Sequence, residues 1–138
     1  MPQDNVEIVK AGLAAWNDGD MDRVREMYDP DVIHKSIEGW PEPGPFVGRE
    51  AVIDWLEQLR ETWDTDVMEP IDFTVVADHV VVRLRSRGVI QGAKPNMEFT
   101  GVYTVRRGKT VFVEFVRDHA EAVEAVGLSE QDAQTDPA

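Results

Sequence analysis

The amino-acid sequence predicts an α+β fold, with helices first and a long, curved, mostly antiparallel sheet after them. Three observations carry this. Apolar residues keep a helical period as far as residue 63, most clearly Val52, Trp55, Leu56, Leu59 and Trp63 at i, i+3, i+4, i+7 and i+11. After residue 66 the period becomes two, with Val80, Val82 and Leu84 alternating against Val81, Arg83 and Arg85. Tight-turn signals, Asp78 and Arg106-Arg107-Gly108-Lys109, separate the extended runs. Helices followed by a meander is an α+β order rather than an alternating βαβ one, and the space between helices and sheet is expected to form a pocket.

The elements follow in order. Asp4 and Glu7 have capping-box spacing, which predicts a first helix capped at Asp4. Val6, Val9, Leu13 and Trp16 share its inner face, and Gly19 suits the left-handed position that ends it. Asp20 caps a second, short helix through Met21, Val24, Met27 and Tyr28. Asp29-Pro30 closes that helix, because proline disfavours helical geometry in the residue before it. Residues 32–36 read as a short strand. The loop Trp40-Pro41-Glu42-Pro43-Gly44-Pro45 is neither helix nor central strand. Gly48-Arg49-Glu50 opens the strongest helix. Strands are expected over 71–76, 79–90, 97–105 and 110–116. Residues 120–128 read as a short final helix stopped by Gly127, and 129–138 as a disordered acidic tail. One domain over 1–128 plus the tail 129–138 follows.

Composition excludes whole classes of chemistry. The 138 residues carry 27 Asp+Glu against 14 Lys+Arg, a net charge of −13, which repels nucleic acid and anionic lipid alike. With no cysteine, disulfides, thiol nucleophiles and thiolate metal sites are impossible. No apolar run reaches the roughly 20 residues of a membrane span, and Met1-Pro2-Gln3-Asp4-Asn5 is unlike a signal peptide, so a cytoplasmic location is expected. Three histidines without a spaced pair give no metal site, and no cofactor is expected.

Several pieces in sequence order resemble the SnoaL-like branch of the nuclear transport factor 2-like (NTF2-like) superfamily. They are Asn5-Val6-Glu7-Ile8-Val9, Ala15-Trp16-Asn17-Asp18-Gly19-Asp20, Tyr28-Asp29-Pro30-Asp31-Val32, Pro43-Gly44-Pro45-Phe46-Val47-Gly48-Arg49-Glu50, Tyr103-Thr104-Val105-Arg106-Arg107-Gly108-Lys109, and Ala120-Glu121-Ala122-Val123-Glu124-Ala125-Val126-Gly127-Leu128. The resemblance implies a cone-shaped α+β barrel around three N-terminal helices, an apolar pocket and a homodimer through the outer sheet face. Its activity is left open, because isomerases, cyclases, hydrolases, dehydratases and binding domains share this scaffold. The isomerase members use a carboxylate base, a tyrosine and a protonated acid, for which the matching positions here hold Ser36, Gly12 and Gly101. The histidine and aspartate of the cyclases fall near Gly101 and Phe115, with Asp118 three residues on. The third strand offers Arg83, Arg85 and Arg87 without the aspartates an epoxide hydrolase needs, and that row reads as a solvated face.

The candidate catalytic residues are therefore His34, Asp118 and Tyr103. Val32, His34 and Ser36 share one strand face, and imidazole suits proton transfer near neutral pH; a wall histidine is the structural alternative. Asp118 is either a buried acid or a cap for the following helix. Tyr103 offers a phenol on the same face as Phe99 and Met97. The candidate ligand-binding residues are Trp16, Trp55 and Leu59 on helix stripes, Met97 and Phe99 on the strand over 97–105, and Trp40 as a lid or dimer contact. The expected function is a pocket for a small hydrophobic or polycyclic molecule, with or without cofactor-free acid–base catalysis. The alternative is a non-catalytic ligand-binding or dimerisation module.

Overall fold

The computed structural model describes residues 2–37, 44–62, 65–89, 96–120 and 122–124. Helix α1 runs Pro2–Asp18. It starts ahead of the expected cap: proline is tolerated in a first turn, so Asp4 lies inside that turn, where its charge favours the helix dipole. Gly19 ends α1 with φ of 75°, in the left-handed region. Helix α2, Met21–Met27, is capped as expected, with the Arg23 N–H donating to Asp20 Oδ1 at 3.2 Å.

Strand β1 covers Tyr28–Lys35. It begins four residues before the expected strand, so Tyr28 is extended rather than helical. The Asp29-Pro30 step that breaks α2 is absorbed by an irregular register between Tyr28 and Ile33, and the Asp31 N–H donates to Asp29 Oδ2 at 2.8 Å. Strand β2 is only Phe46–Val47 and pairs with Ile33 and His34. Too short to show a period, it was not expected. Helix α3, Arg49–Thr62, matches the expected helix and buries Val52, Ile53, Trp55 and Leu56. Each such burial is worth about 1.5–3 kcal/mol.

Strands β3 (Thr65–Val76), β4 (His79–Val89), β5 (Asn96–Arg106) and β6 (Lys109–Val116) form the meander. Strand β3 begins well before residue 71. Its first half is too polar to show alternation, and pairing with β4 extends it, with Pro70 at a register shift on the edge strand. The β5–β6 turn has positive φ at both Arg107 and Gly108, the twist a two-residue hairpin prefers.

The six strands form one curved sheet in the order β2-β1-β6-β5-β4-β3. Only β1–β6 is parallel. The sheet does not close, because β2 and β3 remain as its two edges. One apolar cluster joins α1 to the concave face through Val9, Leu13, Val80, Val82, Leu84, Phe99, Tyr103 and Val113. A second joins the three helices to β1 through Trp16, Val24, Val32, Val52 and Trp55. On the convex face, Ala122 and Val123 pack on Val81 and Val102, and the Ala122 N–H donates to the Asp118 carbonyl at 3.1 Å. The arginine row also lies on this face, each member paired with a carboxylate of a neighbouring strand: Arg83–Asp72 at 3.8 Å, Arg85–Glu98 at 3.3 Å and, diagonally, Arg87–Glu69 at 3.4 Å. Trp40, Trp63, most of the expected final helix and the tail lie outside the described residues.

Candidate functional site

A cavity of about 90 Å³ lies between the helices and the concave face of the sheet. Val9, Leu13 and Trp16 of α1 and Trp55, Leu56 and Leu59 of α3 wall it on one side, and Tyr103 and Phe115 on the other. Met27 and Met68, two adaptable side chains, complete the wall. Among the described residues no Asp, Glu, Lys or Arg lines this space.

His34 is the most polar group there. The alternation of β1 turns it inward beside Val32, and it is 1% exposed. Its ring stands edge-on to Trp55 and to Phe115, each at 4.8 Å between centroids. Phe46 stacks on the other ring of this group, Trp55, at 4.6 Å. Burial lowers the imidazole pKa to about 3, so His34 is neutral at neutral pH. Its Nδ1 has no protein hydrogen-bond partner. As a neutral imidazole it can accept at one nitrogen and donate from the other.

Trp16 is the second buried polar group without a partner, through its indole Nε1–H. Its ring is held in place from α3: the Arg60 guanidinium lies 4.7 Å from the ring centre and donates to the Trp16 carbonyl at 2.7 Å. Tyr103 and Tyr28 add two phenols. Burial raises the pKa of both, and for Tyr103 the proximity of Tyr28 raises it further, so both remain protonated donors.

The structure brings together six of the expected residues. His34, Tyr103, Trp16, Trp55 and Leu59 line the cavity, and Phe99 packs edge-on against Phe115 at 5.0 Å without lining it. Met97 is partly buried in the adjoining core. Asp118 is exposed in the segment after β6, away from the cavity wall. Its neighbour His119 sits on the convex face, with Nδ1 3.0 Å from Thr100 Oγ1 and Nε2 3.8 Å from Asp72. Trp40 lies outside the described residues.

Sequence reasoning missed Tyr28, Met27, Met68, Thr110 and Phe115. Gly12 and Gly101 also have a physical account. A Cβ at Gly101 would stand 2.8 Å from the Tyr103 ring and 3.1 Å from that of Phe115, its cross-strand partner. A Cβ at Gly12 would meet the Met27 thioether at 3.0 Å. Here aromatic and thioether groups fill the space a polar side chain would take.

Comparison with known proteins agrees with this geometry. The model of the SnoaL-like domain matches residues 9–113. No curated protein matches. Among solved structures, TerC co-crystallised with polyporic acid is similar at 23% identity and a TM-score of 0.76, over 90% of this chain and 98% of that one. An NTF2-like protein of unknown function from Burkholderia pseudomallei is similar at 21% identity and 0.76, over 89% and 97%. Bal32a, from a soil-derived mobile gene cassette, is similar at 21% and 0.77, over 83% and 88%. These likenesses show the fold. Helices packed into an open, curved sheet, with a matching domain model over most of the chain, place the protein in the SnoaL-like domain family.

Proposed function

We propose that this protein binds a small, uncharged, largely apolar molecule in the cavity between its helices and its sheet. The observation that carries this reading is a cavity between helices and sheet walled by Val9, Leu13, Trp16, Trp55, Leu56, Leu59, Met68 and Phe115, with no charged side chain among the described residues. A charged ligand would lose its hydration with no opposite charge to meet it. The co-crystallised relative TerC, which was crystallised with polyporic acid, supports a small-molecule role for this scaffold.

Cofactor-free proton transfer is a second reading, and the position of His34 favours it. A neutral imidazole walled by Trp55 and Phe115 could relay a proton between two sites on one bound molecule without becoming charged. Tyr103 would donate to an oxygen of that molecule, and Asp118 would act only if it moved from the surface. His34→Ala that leaves every tested turnover unchanged while binding persists would remove this reading. A homodimer belongs to the proposal, and sedimentation showing only monomer at micromolar concentration would remove it.

Binding itself is tested by filling the chamber. Gly12→Leu places a side chain on the cavity wall, where Met27 can yield. Tryptophan fluorescence should report ligand binding in the native chain through Trp16 and Trp55, and the variant should fold yet lose the response. Equal affinity in both proteins would sink the cavity assignment.

A further inference from the structure

The chain has two tyrosines, Tyr28 and Tyr103, and both line the cavity. Strand register brings them together. Tyr28 pairs with Thr110 across β1 and β6, and Thr110 pairs with Val105 across β6 and β5. Tyr103 stands two residues before Val105, on the same face of β5, and both belong to the apolar cluster under α1. Directly paired strand residues share a face, and Thr110 also lines the cavity. Three hydroxyl side chains from three adjacent strands thus meet on one part of the concave face.

Away from them the wall is hydrocarbon and thioether: Leu56 and Leu59 from α3 and Met68 from β3. Met68 lies toward the other end of the concave face. Its partner Ser86 is six residues along β4 from Val80, the partner of Tyr103. The cavity is therefore polar at one end and apolar at the other.

The three hydroxyls also differ from His34 Nδ1 and Trp16 Nε1, which are closed to water. Among the described residues, those of Tyr28, Tyr103 and Thr110 make no hydrogen bond to a protein group and are not closed off in that way. Tyr103 is 8% exposed, so the free space its side chain meets is that of the cavity it lines. Burial keeps both phenols protonated, and each can donate as well as accept. A ligand that displaces water from such a hydroxyl must replace its hydrogen bond or lose affinity.

Resting on the binding function proposed above, we infer that the cavity takes a neutral amphipathic molecule whose hydroxyl or carbonyl end meets Tyr28 and Tyr103, with its hydrocarbon part against Leu56, Leu59 and Met68. The two tyrosines then set specificity: helix and edge strand hold the hydrocarbon, and the phenols read the oxygen.

Two probes with the same ring test this: cyclohexanol, which carries the oxygen, and cyclohexene, which does not. The full chain is labelled with carbon-13 at tyrosine Cζ, beside each hydroxyl, and titrated by NMR. Because the chain has two tyrosines, every labelled signal reports on the cavity. Cyclohexanol should shift both signals. Tyr28→Phe and Tyr103→Phe remove one oxygen each and keep the rings that pack the core. Each should weaken cyclohexanol about threefold to tenfold and leave cyclohexene unchanged or tighter. If cyclohexanol binds without moving the Cζ signals, or if both probes respond alike to the two substitutions, the inference falls and the cavity function stands. If neither probe binds, the cavity function falls with it. The Cζ shifts are read on the native chain and need no variant that folds.

Discussion

His34 shows how burial turns a reactive side chain into a neutral one. The unfolded chain takes up a proton near the ordinary imidazole value of about 6.5, while the folded chain holds out to about 3. On acidification the unfolded state therefore binds the proton first, so stability falls as pH drops through this window and is unaffected above it. The slope is about 1.4 kcal/mol per pH unit. Carboxylates add their own effects below about pH 5, so a comparison isolates the histidine. Between pH 6.5 and 5 the native protein should lose about 1.5 kcal/mol relative to His34→Leu, as measured by urea unfolding. Parallel pH profiles would mean that His34 is not buried as described. That His34 shares a strand face with Val32 and Ser36 was legible from the alternation, but which face turns inward was not. Its neutrality was not, because desolvation comes from Trp55 on α3 and Phe115 on β6, residues distant in sequence.

At the scale of elements, Asn17 ties the end of α1 to the edge strand through two hydrogen bonds. Asn17 Nδ2 donates to the Met68 carbonyl at 3.0 Å, and the Met68 N–H donates to Asn17 Oδ1 at 2.8 Å. An asparagine side chain here takes the place of a neighbouring strand. It both shields part of an open sheet edge and sets the position of Met68 in the cavity wall. Asn17→Ala should destabilise the protein by about 1 kcal/mol, since water can replace these exposed bonds in part. The Met68 amide should exchange with solvent about fivefold faster, as hydrogen-exchange mass spectrometry would show. Unchanged exchange there would mean that the edge is held by the β4 pairing alone. Helices α1, α2 and α3 and strands β4, β5 and β6 were readable because each keeps a regular period over many residues. The early halves of β1 and β3 were not. Asp29-Pro30 and Glu69-Pro70 interrupt their patterns, and pairing with β6 and β4 overrides local preference.

Across the whole molecule, charge and packing act in different places. The net charge of −13 lies outside a cavity that no ionised side chain lines among the described residues. The cross-strand pairs Arg83–Asp72, Arg85–Glu98 and Arg87–Glu69 are partly exposed, and such pairs contribute at most about 1 kcal/mol each. Self-repulsion of the excess carboxylates should outweigh them. Raising sodium chloride from about 10 mM to about 300 mM should then raise the melting temperature by about 2–4 °C. A fall in calorimetric Tm would show that the ion pairs dominate.

By itself the sequence determined the α+β class, the order of the helices and the longer strands, the inward helix stripes that carry Trp16 and Trp55, and the exclusion of cysteine chemistry. These follow from local period and residue type, which need no partner. Only the tertiary structure decided that Tyr28 joins the cavity, that Asp118 stays at the surface, that the sheet remains open, and that His34 turns inward between Trp55 and Phe115. Those outcomes depend on which distant side chains fill the same space, and that is settled by long-range packing rather than by any stretch of chain.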